Sequence, residues 1–234
     1  MKTYISVKTK EQLEAAKASG RADEIIVPLY PASKPENAKG LWIMLPDVLR
    51  ENKVSEIQGI INRLRAVKGF AVQNIDELGL LKEAGYKGDL IAGELLYSCN
   101  SEAVRSYRSF FPGMKFISPA ELTDKELSKL EDAAGVSFIY KAYGHQKLMT
   151  TAQRLNGPFK DEKGEKFIAV YDSDLECSEI YTGRPVSMLD KKETLSGRDI
   201  LIEFTIEDAK DTKAVLETMA VPDYIRGHHF KGTD

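Results

Sequence analysis

Histidine and cysteine are the scarce residues of this chain, which carries only His145, His228, His229, Cys99 and Cys177 among its 234 residues. Two cysteines are too few for a disulfide scaffold or a four-cysteine metal site, so both are expected as free thiols in a reducing compartment. No H-E-x-x-H occurs, and no three-histidine set exists outside the C-terminal tail, which removes the usual frames for zinc hydrolysis. No G-x-S-x-G elbow marks a serine nucleophile, and whether Cys99 and His145 meet is not decided by their spacing. No G-x-G-x-x-G follows the first strand-like run, so a dinucleotide-binding reading has no motif. Neither a metal nor a cofactor is expected.

Long apolar runs are missing as well. Nothing approaches the roughly 18 consecutive apolar residues of a membrane helix, and the N-terminal segment lacks the apolar core and cleavage site of a secretion signal. The expected address is the cytoplasm, with no membrane partner. Positive charge is not in excess either: 33 Lys and Arg against 36 Asp and Glu give a formal net charge of -3, so RNA binding would require a local basic patch. Hydrophobic residues at 42% and charged residues at 29% match an ordinary folded protein, which argues against disorder.

What the chain does have is a repeated phrase of strand, then helix. Residues 3–7 are β-rich, and Thr9 stands as an N-cap three residues before Gln12 and a helical pattern through Leu13, Ala16 and Ala18. Short buried strands are expected at 24–27 and 41–45, the second followed by a helix over 48–67. Between them residues 28–40 are polar and hold three prolines, which predicts a loop or a degenerate helix. A strand at 69–72 leads into a helix capped by Asn74 and stopped at Gly85. Strands at 89–92 and 115–118 precede helices over 101–110 and 123–130. A seventh strand at 137–140, an eighth at 200–204 and a closing helix over 208–219 complete the pattern. The excursion at 144–198 holds a turn at 161–164 beside a β-like run at 166–170, the mark of a β-hairpin lid.

Eight strands separated by helices predict one (β/α)8 TIM-barrel-like domain over 1–234, with the β-hairpin excursion between strands 7 and 8; an open doubly wound sheet is the runner-up. In such a fold chemistry sits at the C-terminal ends of the strands. That rule selects Glu94, Glu121, Tyr143, His145 and Glu203 as candidate catalytic groups. Asn74, Tyr97, Asn100, Glu179, Tyr181 and Arg184 are candidate substrate-binding groups, with Asp172 beside them on the excursion. Asn74 serves equally well as a helix cap, and Glu121 suits the first turn of a helix. Glu94 and Glu203 either form a carboxylate pair or bind Lys141 or Arg184 as ion pairs. No set of nucleophile, base and orienter can be assembled from these groups.

Several stretches together resemble the collagenase-like peptidase family U-32. They begin with Lys10-Glu11-Gln12-Leu13 and Ser19-Gly20-Arg21-Ala22-Asp23-Glu24-Ile25, and continue with Phe116-Ile117-Ser118-Pro119-Ala120-Glu121-Leu122 and Tyr143-Gly144-His145-Gln146-Lys147-Leu148-Met149. Cys177-Ser178-Glu179-Ile180-Tyr181, Pro185-Val186-Ser187-Met188 and the close Gly227-His228-His229-Phe230-Lys231-Gly232 extend the resemblance over nearly the whole chain. The likeness is to the second, C-terminal barrel of the longer members. It implies an accessory domain beside a catalytic N-terminal barrel of the same longer protein. A stand-alone peptidase and an RNA-binding domain are the alternatives, because members are classed as peptidases of unknown catalytic type and relatives take part in RNA or ubiquinone hydroxylation. The family's Glu-x-Phe-x-x-Gly-Ala signature is absent here, and Thr150-Thr151-Ala152-Gln153 stands where a cysteine often follows. Of the cluster ligands that some members carry, only Cys177 has a counterpart, and one ligand cannot hold a four-ligand iron-sulfur cluster.

Overall fold

A computed structural model describes residues 1–64 and 66–231. The chain opens with β1 (Thr3–Ser6), α1 (Lys10–Ser19), β2 (Glu24–Pro28), α2 (Pro35–Ala38), β3 (Trp42–Met44) and α3 (Glu51–Arg63). The alternation continues through β4 (Gly69–Val72), α4 (Ile75–Glu83), β5 (Asp89–Ala92), α5 (Ser101–Phe110), β6 (Lys115–Phe116), α6 (Asp124–Ala134) and β7 (Tyr140–Gly144). Four strands follow without an intervening helix: β8 (Lys147–Thr151), β9 (Gly157–Lys160), β10 (Lys166–Asp172) and β11 (Cys177–Thr182). The chain then forms β12 (Val186–Ser187), α7 (Lys192–Leu195), β13 (Ile200–Glu203) and α8 (Ala209–Thr218).

Local chemistry starts the helices. Thr9 and Gln12 form a reciprocal capping box on α1, as Thr123 and Glu126 do on α6, and Asn74, Asn100 and Asp208 each accept from the backbone N–H three residues on. The proline-rich segment contributes only the four-residue α2. Among the described residues no helix is long and apolar enough to cross a membrane.

Nine strands form one curled sheet in the order β12-β7-β13-β1-β2-β3-β4-β5-β6, and β8-β11-β10-β9 form a separate antiparallel sheet. The period-2 alternation of strands sorts the core into two layers. Tyr4, Ile26, Trp42, Ala71, Ile91, Ile117, Ile139 and Leu201 pack together inside the curl. Their neighbours Ile5, Val27, Ile43, Phe70, Leu90, Phe116, Tyr140 and Ile202 pack on the other face with the helices. The indole of Trp42 lies against Gly69, its partner in the β3–β4 register, where any side chain would collide with it. Its Nε1 donates to buried Glu24 at 2.9 Å, which also takes Lys2 at 2.7 Å and Lys68 at 2.5 Å.

This is not the (β/α)8 TIM-barrel-like arrangement expected from the sequence. The sheet has nine strands, with antiparallel β12 at one edge, and β6 is two residues long at the other. The β6 edge approaches β7, the neighbour of β12, through one parallel bridge, Ile117 to Ile139, outside any regular strand. Pro119 offers no N–H beyond Ser118, so the apolar run at 115–118 cannot extend its ladder. Pairing of the expected seventh strand lies further along, over Tyr140–Gly144 rather than 137–140. The excursion is likewise not a single hairpin but a four-stranded sheet: β9, β10 and β11 pair in succession across short turns, and the earlier run at 147–151 adds itself to the far side of β11. The last crossover carries only the four-residue α7. After α8 the chain returns along this seam: Ile225 bridges Val186, and Arg226 grips Asp190 at 2.6 and 2.7 Å. His229 lies 2.9 Å from Asp124, while Gly232 falls outside the described residues.

Candidate functional site

Parallel strands deliver their C-terminal residues to one end of the sheet, and there Lys141 of β7 stands between two acids. Its Nζ donates to Glu94, in the turn after β5, at 2.7 Å and meets Glu203, the last residue of β13, also at 2.7 Å. Lys141 is only 8% exposed. Burial works against its charge, but Glu203 and then Glu94 outweigh it and hold the ammonium above the usual lysine range. Burial pushes the Glu94 carboxyl above its ordinary value, Lys141 pulls it down, and Glu203 adds to the upward push. Of the ion-pair alternatives for the two carboxylates the structure selects Lys141, since Arg184 instead lies 3.8 Å from Asp223.

A second knot surrounds Glu179 on β11. Lys8 binds one carboxylate oxygen, Lys147 meets the other at 3.2 Å and also pairs with Asp47, and the Tyr181 hydroxyl donates at 2.7 Å. Burial opposes this charge, yet Lys8 and Lys147 hold the carboxyl down at about 2, against an ordinary 4.5. Because the folded value lies below the unfolded one, the stabilisation is complete above about 4.5 and is lost as pH falls towards about 2. Chemical denaturation of wild type and Glu179→Gln should differ by on the order of a few kcal/mol at neutral pH, with the gap closing across that window. A gap that stays constant down to the acid limit would refute the assignment.

The remaining candidates divide. Tyr143 donates to buried Glu207 at 2.7 Å, and Glu207 in turn accepts from the backbone N–H of Thr205 at 2.7 Å. Nδ1 of His145 lies 2.6 Å from the Thr182 carbonyl, which can only accept, so that nitrogen carries hydrogen; Nε2 is 3.9 Å from Glu207. Asn74 and Asn100 are helix caps, with Asn74 also donating to the Asp47 carbonyl at 2.8 Å. Tyr97 is 58% exposed with a φ of 50° in the left-handed region. Glu121 has a buried oxygen without a partner and lies near Cys99, whose thiol is pushed up by burial and then by Glu121. Burial and then Glu179 push up the Cys177 thiol too. No hydrogen bond joins Cys99 to His145 among the described residues, nor does any group of three or more His, Cys, Asp and Glu present a metal site there.

Above these groups opens a cavity of about 340 Å³, roofed by the β10–β11 turn. Three lysines line it, together with six carboxylates, including Asp172 and Asp174 of that turn. Each of the three lining tyrosines faces a cation already: Lys53 lies 6.0 Å from the Tyr30 ring centroid, Lys8 5.4 Å from that of Tyr181 and Arg154 4.7 Å from that of Tyr171.

No family model matches the chain, and no curated protein matches it. Two solved structures of the spore cortex-lytic enzyme SleL are similar over most of it. The Bacillus cereus enzyme has a TM-score of 0.40 at 8% identity, covering 92% of this chain and 74% of its own. The Bacillus megaterium QM B1551 enzyme has a TM-score of 0.34 at 8% identity, covering 92% and 73%. Likeness at this level carries no functional conclusion.

Sequence reasoning missed Lys8, Asp47, Lys147, Glu207, Tyr30 and Thr205. Lys8 and Thr205 each lie two residues beyond a strand of the large sheet, so the strand-end rule applied evenly to lysines and hydroxyls would have found them. Asp47 and Glu207 announce themselves only through their partners.

Proposed function

We propose that the chain is a ligand-binding accessory domain of a cytoplasmic, peptidase U-32-like protein, serving a catalytic N-terminal domain of the same protein and performing no hydrolysis itself. The observation that carries this reading is that most of the strand-end groups are tied to one another, one oxygen each of Glu94 and Glu121 excepted. Lys141 is locked between Glu94 and Glu203, Glu179 is gripped from both sides, and Tyr143 and His145 are tied to Glu207 and the Thr182 carbonyl. Both thiols are held protonated by burial, so among the described residues neither thiol stands activated beside a free base. RNA finds little welcome at this mouth, where six carboxylates outnumber three lysines.

Incubating the purified chain with gelatin and with fluorogenic peptides should give no cleavage above buffer. Turnover that disappears in Glu94→Gln or Glu121→Gln would establish a stand-alone peptidase instead.

A further inference from the structure

Strands β8 to β11 form a sheet of their own, and no ladder joins it to the large sheet. Two chain crossings connect it to the rest of the molecule. Gly144 ends β7 at the first, and Gly183 follows β11 at the second. Glycine tolerates the backbone rotations that a hinge must absorb.

The small sheet shares no apolar core with the large one. It buries Ala169, Leu175, Cys177, Ile180 and Tyr181, yet none of these belongs to either layer of the large sheet's core. Its half-buried Phe167, Ile168 and Val170 do not pack against those layers either. Beyond the crossings, the hydrogen bonds and ion pairs that hold it among the described residues are Lys8 to Glu179, Lys147 to Asp47, and Arg50 donating to the Glu176 carbonyl at 2.8 Å. Lys8, Asp47 and Arg50 stand on the rim of the large sheet, and their partners on the small sheet or its turn. A unit docked by a few charged contacts can part from its neighbour at less cost than one sharing a buried apolar layer, and without disturbing either core.

Position supplies the role. The inner face of the small sheet and its β10–β11 turn form one wall of the 340 Å³ cavity, facing the strand ends that carry Glu94, Lys141 and Glu203. We propose that the small sheet is a lid, latched by these three contacts, which swings as a rigid unit about the two crossings and controls entry to the cavity. The inference goes beyond the accessory-domain reading and does not depend on it.

Cys177 is a built-in reporter. Strand alternation places it on the same face of β11 as Glu179 and Tyr181, where it is only 2% exposed. After burial, Glu179 and Asp172, Asp47 of the large sheet's rim also pushes its thiol up, while Arg50 pulls it down, so the thiol faces the latch. Iodoacetamide labelling of Cys177 in a Cys99→Ser background therefore reads lid opening. The rate should stay level up to about 1 M urea, because a rigid swing exposes little new surface. Lys8→Met and, separately, Arg50→Met should each speed labelling about tenfold. Removing a cation makes the thiolate harder to form, so faster reaction reports access rather than reactivity. Amide exchange of β10 and β11 should be unchanged in both variants, since the lid keeps its own ladders as it swings. A labelling rate that climbs with urea as steeply as global unfolding from the first addition overturns the proposal. So does the absence of acceleration in both variants, or acceleration accompanied by lost amide protection in β10 and β11. Peptide turnover bears on the accessory-domain reading alone.

Discussion

Replacing Lys141 by Met should lower the unfolding free energy by about 3–5 kcal/mol, the largest single-residue effect expected at the strand ends. Methionine retains most of the side-chain volume, so the loss is electrostatic rather than a cavity effect. Without the ammonium, Glu94 and Glu203 face each other where each had accepted a 2.7 Å contact, with little water to screen them. The Glu94 carboxyl, already pushed up by burial, then rises further in the folded state. A carboxyl raised on folding costs nothing while protonated, so the deficit should be small in acid and grow as pH rises through the folded values. Adding Glu94→Gln and Glu203→Gln to Lys141→Met should recover most of the stability, since removing a whole buried ionic group is far cheaper than orphaning part of it. Urea denaturation of wild type, the single variant and the triple variant across pH decides the matter. A pH-independent loss, or no recovery in the triple variant, would mean the lysine acts through packing.

Gly69→Ala should cost about 3 kcal/mol, at the upper end of overpacking effects. A Cβ there would lie 2.3 Å from the Asp89 carbonyl oxygen and 2.4 Å from the Trp42 ring. Neither neighbour can step aside cheaply. Asp89 is paired with Gly69 in the β4–β5 register, and the indole is tethered to Glu24 through Nε1. Shrinking the ring relieves one of the two collisions, so Gly69→Ala should cost less in a Trp42→Leu background. A double-mutant cycle measured by thermal denaturation reads the coupling directly. Strict additivity would show that the Asp89 backbone alone sets the cost.

Both predictions concern residues whose importance is hard to see along the chain. Glycine at a strand start reads as a weak turn signal, and only the β3–β4 register reveals that Trp42 occupies the space its side chain would need. Lys141 was visible as one alternative partner for Glu94 and Glu203, but Arg184 was equally eligible until the fold set it beside Asp223 instead. Candidate selection at strand ends picked out Glu94, Glu203, Tyr143 and His145, because where a short apolar run stops is a local property, while Glu179 and Tyr181 were candidates of the excursion. It favoured carboxylates and aromatics over Lys8 and Lys147, which complete the Glu179 knot.

The sequence by itself determined the features that depend on neighbours a few residues away: the caps at Thr9, Asn74, Asn100, Thr123 and Asp208, the period-2 apolar runs, and the weakness of the proline-rich second crossover. Capping bonds and side-chain alternation close within one turn of chain, so they are written in local order. Only the tertiary structure decided how the strands assemble. It made the excursion a four-stranded sheet, placed β12 antiparallel at the edge of β7, and left β6 and β7 joined by one bridge. It also brought Glu94, Lys141 and Glu203 to one point. Backbone pairing and buried charge compensation act between residues far apart in sequence, and no local pattern records which distant partner each will find.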